Sequence, residues 1–205
     1  MKKQSKNVWK ILLLTMLLAS TMIITASAAT ASKVTYKRSI ASGKESVTIW
    51  GKTSSGKTSS GKTVWTYRSA SYTAAQCNAV TVKTKGSYVY VLEGRKYVRL
   101  SKKTGKVLAK KNVLPSGWSW GSPTVVISSN GNLYAMGYLD STVYRISKSG
   151  TVAWKRDLKN PYYWGYKMKL SDGKLTIYGE APNSWKAVLN ASSGKVVQKV
   201  FWGYR

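Results

Sequence analysis

Ser149-Gly150-Thr151-Val152-Ala153-Trp154 decides the fold, because related segments recur along the chain. The other copies are Ser60-Gly61-Lys62-Thr63-Val64-Trp65, Thr104-Gly105-Lys106-Val107-Leu108 and Ser193-Gly194-Lys195-Val196-Val197. Their glycines are 44, 45 and 44 residues apart, and a second series (Gly43, Gly86, Gly131, Gly173) has spacings of 43, 45 and 42. Two interleaved turn glycines in a period of about 44 residues indicate one supersecondary unit copied four times, and this length suits a four-stranded propeller blade.

The third copy shows the strands of such a unit, here called A to D, most clearly. β-forming runs cover 124–128, 133–136, 142–146 and 151–155, and Asn130-Gly131 marks a tight hairpin between the first two. The second and fourth copies follow this plan, whereas the first offers 34–40, 46–50, an uncertain third strand and 62–67. We therefore predict an all-β propeller of about four four-stranded antiparallel blades, closed as a ring or left as an open arc. The units span approximately 30–75, 76–120, 121–164 and 165–205.

A duplicated five-residue segment interrupts the first unit. Residues 51–63 read Gly-Lys-Thr-Ser-Ser twice and then begin it again. The segment matches a phosphate-binding loop pattern by spacing. Such a loop needs a following helix in an α/β domain, and the sequence after this segment has no helical pattern. The duplication is therefore expected in or beside the third strand of this unit.

The N-terminus has the organisation of an export signal. A basic start (Lys2, Lys3, Lys6, Lys10) precedes an apolar run over 11–24 and the small-residue site Ala26-Ser27-Ala28. The apolar run is shorter than the roughly 20 residues that a membrane-spanning helix needs. We predict a signal peptide over 1–29 and a secreted or cell-surface protein without a transmembrane segment after cleavage; an uncleaved anchor is the alternative.

The charge of the chain is strongly positive. Lys and Arg number 34 against 6 Asp and Glu, a net charge of +28, and removing the four signal lysines leaves +24. Such a field favours anionic partners. For an exported protein these are an anionic cell-wall polymer, a glycan or a protein, and the chain has no dedicated nucleic-acid motif. Solubility with nonspecific adhesion is the competing interpretation.

Catalytic and metal-binding side chains are scarce. The chain has no histidine, one cysteine (Cys77) and six acidic residues. A lone cysteine without a base to activate it is better explained as a small apolar residue, and so few carboxylates leave little for acid–base or metal chemistry. We expect a non-enzyme without a cofactor or a metal.

The Ser/Thr-Gly-Lys segments resemble the pyrroloquinoline-quinone-like (quinoprotein-like) β-propeller repeat over essentially the whole mature chain. Trp65 and Trp154 stand at the tryptophan position of that repeat, and Ala109 and Gln198 replace it in the other two units. The resemblance implies tryptophan docking between blades. The family includes calcium- and quinone-dependent alcohol dehydrogenases and non-enzymatic scaffolds. Because an adjacent cysteine pair and a placeable calcium-ligand group are missing, we expect an exported binding or scaffold module, with a cationic wall-adhesion protein as the alternative and a degenerate dehydrogenase less favoured.

Blade geometry sorts the candidate binding residues onto two faces. The A–B and C–D turns of a blade share one face, and the B–C turns and D–A connections share the other. The first face is predicted to be rich in lysine, with Lys44 and Glu45 among its residues, and its candidate polyanion contacts are Lys57, Lys62, Lys102, Lys103, Lys106 and Lys195. The second holds the candidate ligand-binding residues Trp118, Tyr162, Tyr163, Glu93, Asp140 and Glu180. A solvated surface and interblade packing are the competing explanations for the lysines and the repeated tryptophans.

The chain ends on apolar residues that invite a contact. Phe201-Trp202-Gly203-Tyr204-Arg205 repeats the Trp-Gly element that leads from one unit into the next. We expect this tail to dock on the first unit of the same chain or on a second copy, so self-association is among the predicted interactions.

Overall fold

The computed structural model describes residues 29–54, 61–73, 80–116, 121–137, 140–159, 165–179 and 184–202. In these ranges the chain forms sixteen strands in four antiparallel sheets and no helix. Accordingly, no helix in the described ranges has the length and apolar character to cross a membrane. The prediction of an all-β chain with four four-stranded antiparallel sheets is confirmed.

Each sheet is built from consecutive strands. The first contains β1 (Lys33–Ala41), β2 (Lys44–Lys52), β3 (Thr63–Arg68) and β4 (Tyr72–Thr73). The second contains β5 (Val80–Lys85), β6 (Tyr88–Glu93), β7 (Lys96–Ser101) and β8 (Val107–Asn112). The third contains β9 (Thr124–Ile127), β10 (Leu133–Met136), β11 (Thr142–Ile146) and β12 (Val152–Asp157). The fourth contains β13 (Gly165–Ser171), β14 (Lys174–Gly179), β15 (Ser184–Asn190) and β16 (Val196–Trp202).

The strands of the first sheet hold different blade positions from those of the other three sheets. The β2–β3 pairing has a bulge after Gly51, at the point where the last two strands of every other sheet have theirs. Beyond that bulge the Thr53 N–H donates to the Lys62 carbonyl at 3.0 Å, as the Ser101 N–H donates to the Lys106 carbonyl at 2.9 Å. β1, β2 and β3 therefore hold the B, C and D positions. We expected 34–40 and 46–50 to be A and B, but no strand in the described ranges holds position A of this sheet.

The fourth strand of the first sheet continues the edge that β3 begins. β3 and β4 both pair with β2, and Ser69 lies between them. The Ser69 N–H donates to the Val47 carbonyl at 2.9 Å, and the Val47 N–H donates to the Ser69 Oγ at 2.9 Å. The serine side chain thus replaces a backbone acceptor where the edge is interrupted. The sequence left an uncertain third strand between 46–50 and 62–67. No strand lies between β2 and β3 in this sheet, because β2 pairs with β3 directly.

Three apolar layers join the four sheets in sequence order. One layer includes Val47 and Ile49 of the first sheet and Val89 and Val91 of the second. The next lies between the second and third sheets around Tyr97, Leu133 and Ile146, and the last between the third and fourth around Met136, Leu175 and Trp185. Within the described residues none of these layers joins the fourth sheet to the first, so this part of the chain is an arc of four blades.

An aromatic ring from one blade covers the C–D turn glycine of the next. The Trp65 Nε1 donates to the Lys102 carbonyl at 3.0 Å, and its ring covers Gly105. The Trp154 Nε1 donates to the Ala191 carbonyl at 3.2 Å, and its ring covers Gly194. These contacts are the tryptophan docking that the family resemblance implied.

A tyrosine replaces the tryptophan between the second and third blades. Ala109 holds the tryptophan position of β8, and the ring of Tyr97 from the neighbouring strand β7 covers Gly150 instead. The Tyr97 hydroxyl donates to the Lys148 carbonyl at 3.3 Å. Each blade junction is thus closed by one aromatic ring over one glycine.

Candidate functional site

The A–B and C–D turns meet on one face, which we call the lysine face. It consists of the turns at 86–87, 102–106, 129–132, 147–151, 172–173 and 190–195, with 53–54 and 61–62 of the first sheet. The Lys102 N–H donates to the Ser87 carbonyl and the Ala191 N–H to the Gly173 carbonyl, both at 2.8 Å, which ties the two turn types together.

Five of the six predicted polyanion contacts lie on the lysine face. The side chains of Lys62, Lys103, Lys106 and Lys195 are exposed and that of Lys102 is half-buried. Lys57 lies outside the described residues. All five belong to C–D turns, so they come from three different blades and share one direction of approach.

Lys44 and Glu45 were predicted on the same face, and that prediction is wrong. Lys44 pairs with Thr73 and Glu45 with Tyr72, at the opposite end of β2 from the bulge. The turn before them is a B–C turn, because β1 and β2 hold positions B and C. Glu45 is buried there and forms a 2.9 Å ion pair with the Nε of Arg38.

The B–C turns and D–A connections form the opposite face. The Val113 N–H donates to the Arg95 carbonyl at 2.9 Å, and the Leu158 N–H donates to the Ser141 carbonyl at 3.0 Å. Two of the predicted ligand-binding residues, Glu93 and Asp140, lie on this side, and both are buried. The remaining four lie outside the described residues: Trp118, Tyr162, Tyr163 and Glu180.

Glu93 lies inside the junction of the first and second sheets. Its Oε1 accepts a hydrogen bond from the Tyr67 hydroxyl at 3.1 Å and lies 4.0 Å from the Lys110 Nζ. Burial raises the pKa of Glu93, and the Tyr67 hydrogen bond and the Lys110 charge oppose that rise. Burial and the nearby carboxylate also raise the pKa of Tyr72 to about 12. The two sheets thus hold a carboxyl group whose charged form is disfavoured.

Asp140 organises the start of β11. Its Oδ1 accepts the Thr142 backbone N–H at 2.8 Å. Burial raises the pKa of Asp140, while the hydrogen bonds from Thr142 lower it. Next to it the Ser141 Oγ donates to Asp157 at 2.7 Å. The described geometry of Asp140 is that of a local backbone cap.

Two adjoining cavities open on the lysine face. The larger, about 660 Å³, lies between the third and fourth blades, and the smaller, about 220 Å³, lies between the second and third. Lys85, Ser129 and Asn130 line both. Across the described ranges no three His, Cys, Asp or Glu side chains are grouped so that they could hold a metal ion.

Sequence reasoning missed the arginines of these cavities. Arg99 lines the smaller cavity and Arg145 the larger. Both stand immediately before the bulge of a C strand, opposite Ala109 and Trp154 respectively. The signal that could have found them is the repeated Arg-Leu-Ser and Arg-Ile-Ser at 99–101 and 145–147.

The chain resembles solved β-propellers in fold. BamB from Moraxella catarrhalis matches with a TM-score of 0.52 and 14% identity, over 83% of this chain and 50% of that one. Quinohemoprotein alcohol dehydrogenase ADHIIG from Pseudomonas putida matches with a TM-score of 0.46 and 15% identity, over 59% of this chain and 20% of that one. The chain therefore spans half or less of each. No protein-family model and no curated protein matches.

The likeness to BamB establishes the fold: the present chain has the β-propeller fold of pyrroloquinoline-quinone-like repeats.

Proposed function

We propose that this chain is an exported, non-enzymatic binding module of the cell surface and that its lysine face binds an anionic polymer. The observation that carries the proposal is the distribution of charge. Lysines from three blades project from one face, whereas Asp172 is the only acidic residue on that face among the described residues. Glu45, Glu93 and Asp140 are buried away from it.

A face of this kind attracts a polyanion through its summed field rather than through a single ion pair. Isolated exposed lysines contribute little each, because water and salt screen them. Several on one face raise the local concentration of an anionic chain and release its counterions on contact, so binding weakens steeply as salt is added. The +24 charge left after signal removal supports this mode of binding.

Two sequence features support the rest of the proposal. The absence of histidine and the small number of carboxylates favour binding over catalysis. The basic, apolar and small-residue segments before residue 30 favour export. If export and cleavage occur, mass spectrometry of the secreted product gives a chain that starts close to Thr30; a product that retains the apolar run contradicts cleavage.

Retention on purified cell walls tests the proposed partner. The mature chain is applied to walls that keep their anionic polymers and to the same walls after those polymers are stripped. We expect retention on the first and not on the second, with release as ionic strength rises. Equal retention on both preparations would overturn the anionic-polymer assignment.

A further inference from the structure

We infer that the two cavities of the lysine face form one groove for an acidic glycopolymer, a chain of sugars or polyols that carries phosphate or carboxylate groups. The inference rests on the proposed function and names the ligand of the same face more narrowly. It depends on three properties of the groove: its fixed cations, its unused neutral donors and its continuity across three blades.

The fixed cations come from structured positions rather than from turn tips. Arg145 lines the larger cavity, and its Nη1 donates to the Ser192 carbonyl at 2.7 Å, which anchors the guanidinium. Arg99 lines the smaller cavity and lies over the Tyr88 ring, 4.8 Å from its centroid. The Nε of each arginine is buried and has no hydrogen-bond acceptor in the described part of the chain. A guanidinium group that is held in place and lines a cavity suits phosphate and carboxylate groups.

Asn190 offers an amide donor to the larger cavity. The Asn190 Oδ1 accepts the backbone N–H groups of Ser192 and Ser193, both at 3.0 Å. That pattern identifies the oxygen, and it leaves the Asn190 amide NH2 without a protein acceptor among the described residues. Asp172 is the one acidic residue that lines this cavity, and its Oδ2 accepts from Ser171 at 2.8 Å. An amide donor beside an arginine suits a ligand that carries oxygen acceptors.

Continuity of the groove favours a polymer over a single small anion. The larger cavity, at about 660 Å³, is within the size range of small-molecule sites. The smaller cavity extends it across the second blade, and Lys85 lines both. Amide and hydroxyl groups beside the cations suit the hydroxyl and ring oxygens of sugars or polyols between successive charges, which a bare polyanion lacks.

Lys85→Gln is the decisive variant and Lys83→Gln is its matched control. Both lysines are exposed residues of β5 and both changes remove one charge, but Lys83 lines neither cavity. Arg145→Gln is the second groove variant, with its melting temperature measured to establish that it folds. Affinity is measured on the full mature chain for poly(glycerol phosphate) against polyphosphate, and for polygalacturonate against polyglutamate, at matched charge and ionic strength.

The groove predicts that Lys85→Gln and folded Arg145→Gln weaken binding of the hydroxylated polymers about tenfold or more, as expected for a lost charge-assisted hydrogen bond, whereas Lys83→Gln changes it less than about twofold. Higher affinity for poly(glycerol phosphate) than for polygalacturonate indicates a phosphate ligand, and the reverse indicates a carboxylate ligand. Equal losses in Lys85→Gln and Lys83→Gln overturn the groove and leave the proposed function intact. Equal affinity for hydroxylated and bare polymers overturns the glycopolymer assignment. If no anionic polymer binds the unaltered chain, the proposed function fails as well.

Discussion

Glycine at the C–D turns is required by backbone conformation and by the ring that covers it. Gly105 has φ +70°, and a Cβ built there would lie 2.6 Å from the Trp65 ring. Gly173, in the A–B turn of the fourth blade, has almost the same φ, +69°, but no atom within 4 Å of such a Cβ. Backbone strain therefore acts on a substitution at either position, whereas close approach of a ring acts at Gly105 alone.

Gly105→Ala should destabilise the protein more than Gly173→Ala does. The left-handed conformation costs an alanine about 1–2 kcal/mol at either site. Overpacking against Trp65 adds about 1–3 kcal/mol at Gly105 alone. Chemical denaturation of the two variants measures the difference, and equal free energies of unfolding would show that the ring does not restrict this turn.

The buried carboxyl group of Glu93 should make stability fall as pH rises. Because burial raises its pKa in the folded state, the folded protein binds this proton more tightly than the unfolded chain. The stabilisation from that proton is complete below the ordinary pKa of glutamate, about 4.3, and is lost as pH rises through the folded pKa. Glu93→Gln should therefore be the more stable protein at neutral pH, by a margin that shrinks on acidification.

Asp157→Asn is the control of opposite sign. Hydrogen bonds from Ser141 and the Lys159 N–H lower the pKa of Asp157, so its contribution is present at neutral pH and lost on acidification. Thermal melting of both variants from pH 4 to pH 7 should give differences from the unaltered protein of opposite sign. A Glu93→Gln difference that does not vary with pH would contradict the buried-acid assignment.

At the scale of elements, the duplication in the first unit lengthens one turn without changing the pairing around it. Ten residues separate Lys52 from Thr63, its partner across the bulge, whereas five separate Ile146 from Val152 at the same place in the third blade. Deleting residues 56–60 would bring the first turn to the length of the third.

That deletion should leave the fold intact and slightly raise its stability. Halving the length of a connection saves about 0.6 kcal/mol of closure entropy. The melting temperature should therefore be unchanged or slightly higher, whereas removing 102–106 from the second blade should abolish cooperative unfolding, because Gly105 and its contact with Trp65 are lost. A large loss of stability on deleting 56–60 would mean that the duplication is part of the sheet.

The limits of sequence reasoning are visible in the same element. In the third unit the turn glycines predict strands that lie within one or two residues of those observed, because local turn chemistry fixes hairpins. In the first unit the prediction of strands A and B was wrong, because Gly43 continues the glycine period by coincidence. It lies in a B–C turn, and the five extra residues restore the spacing to Gly61.

The candidate site was predictable only in part, for a related reason. C–D turn lysines follow directly from the repeat, whereas the groove depends on which strand faces which neighbour. Arg99 and Arg145 line it because the residue before each bulge faces the next blade, and a linear pattern shows that only after the register is known.

At the scale of the whole molecule, the last blade exposes a surface that another blade could cover. Gln198 holds the position that Trp65 and Trp154 hold in the first and third blades. Phe201 and Trp202 are 44% and 46% exposed beside it. Exposed aromatic residues on a strand surface favour association.

We therefore expect the mature chain to self-associate through its last blade. Light scattering after size exclusion, over a dilution series at moderate salt, should give a mass above that of the monomer. Deleting 201–205 should give a monomer, and Trp202→Ser should weaken association. A monomeric mass that none of these changes alters would contradict a paired assembly.

The salt dependence of polymer binding tests the central claim, that the lysine face is the binding surface. The variant Lys102→Glu/Lys103→Glu/Lys106→Glu is compared with Lys44→Glu/Lys155→Glu/Lys159→Glu, a change of equal charge at exposed positions of β2, β12 and the connection after β12. Each lost contact lowers the slope of log affinity against log salt by about 0.7 for a flexible single-stranded polyanion. We expect a slope about 2 units shallower for the first variant and a nearly unchanged slope for the second. Equal reductions in both would show that net charge, and not this face, binds the polymer.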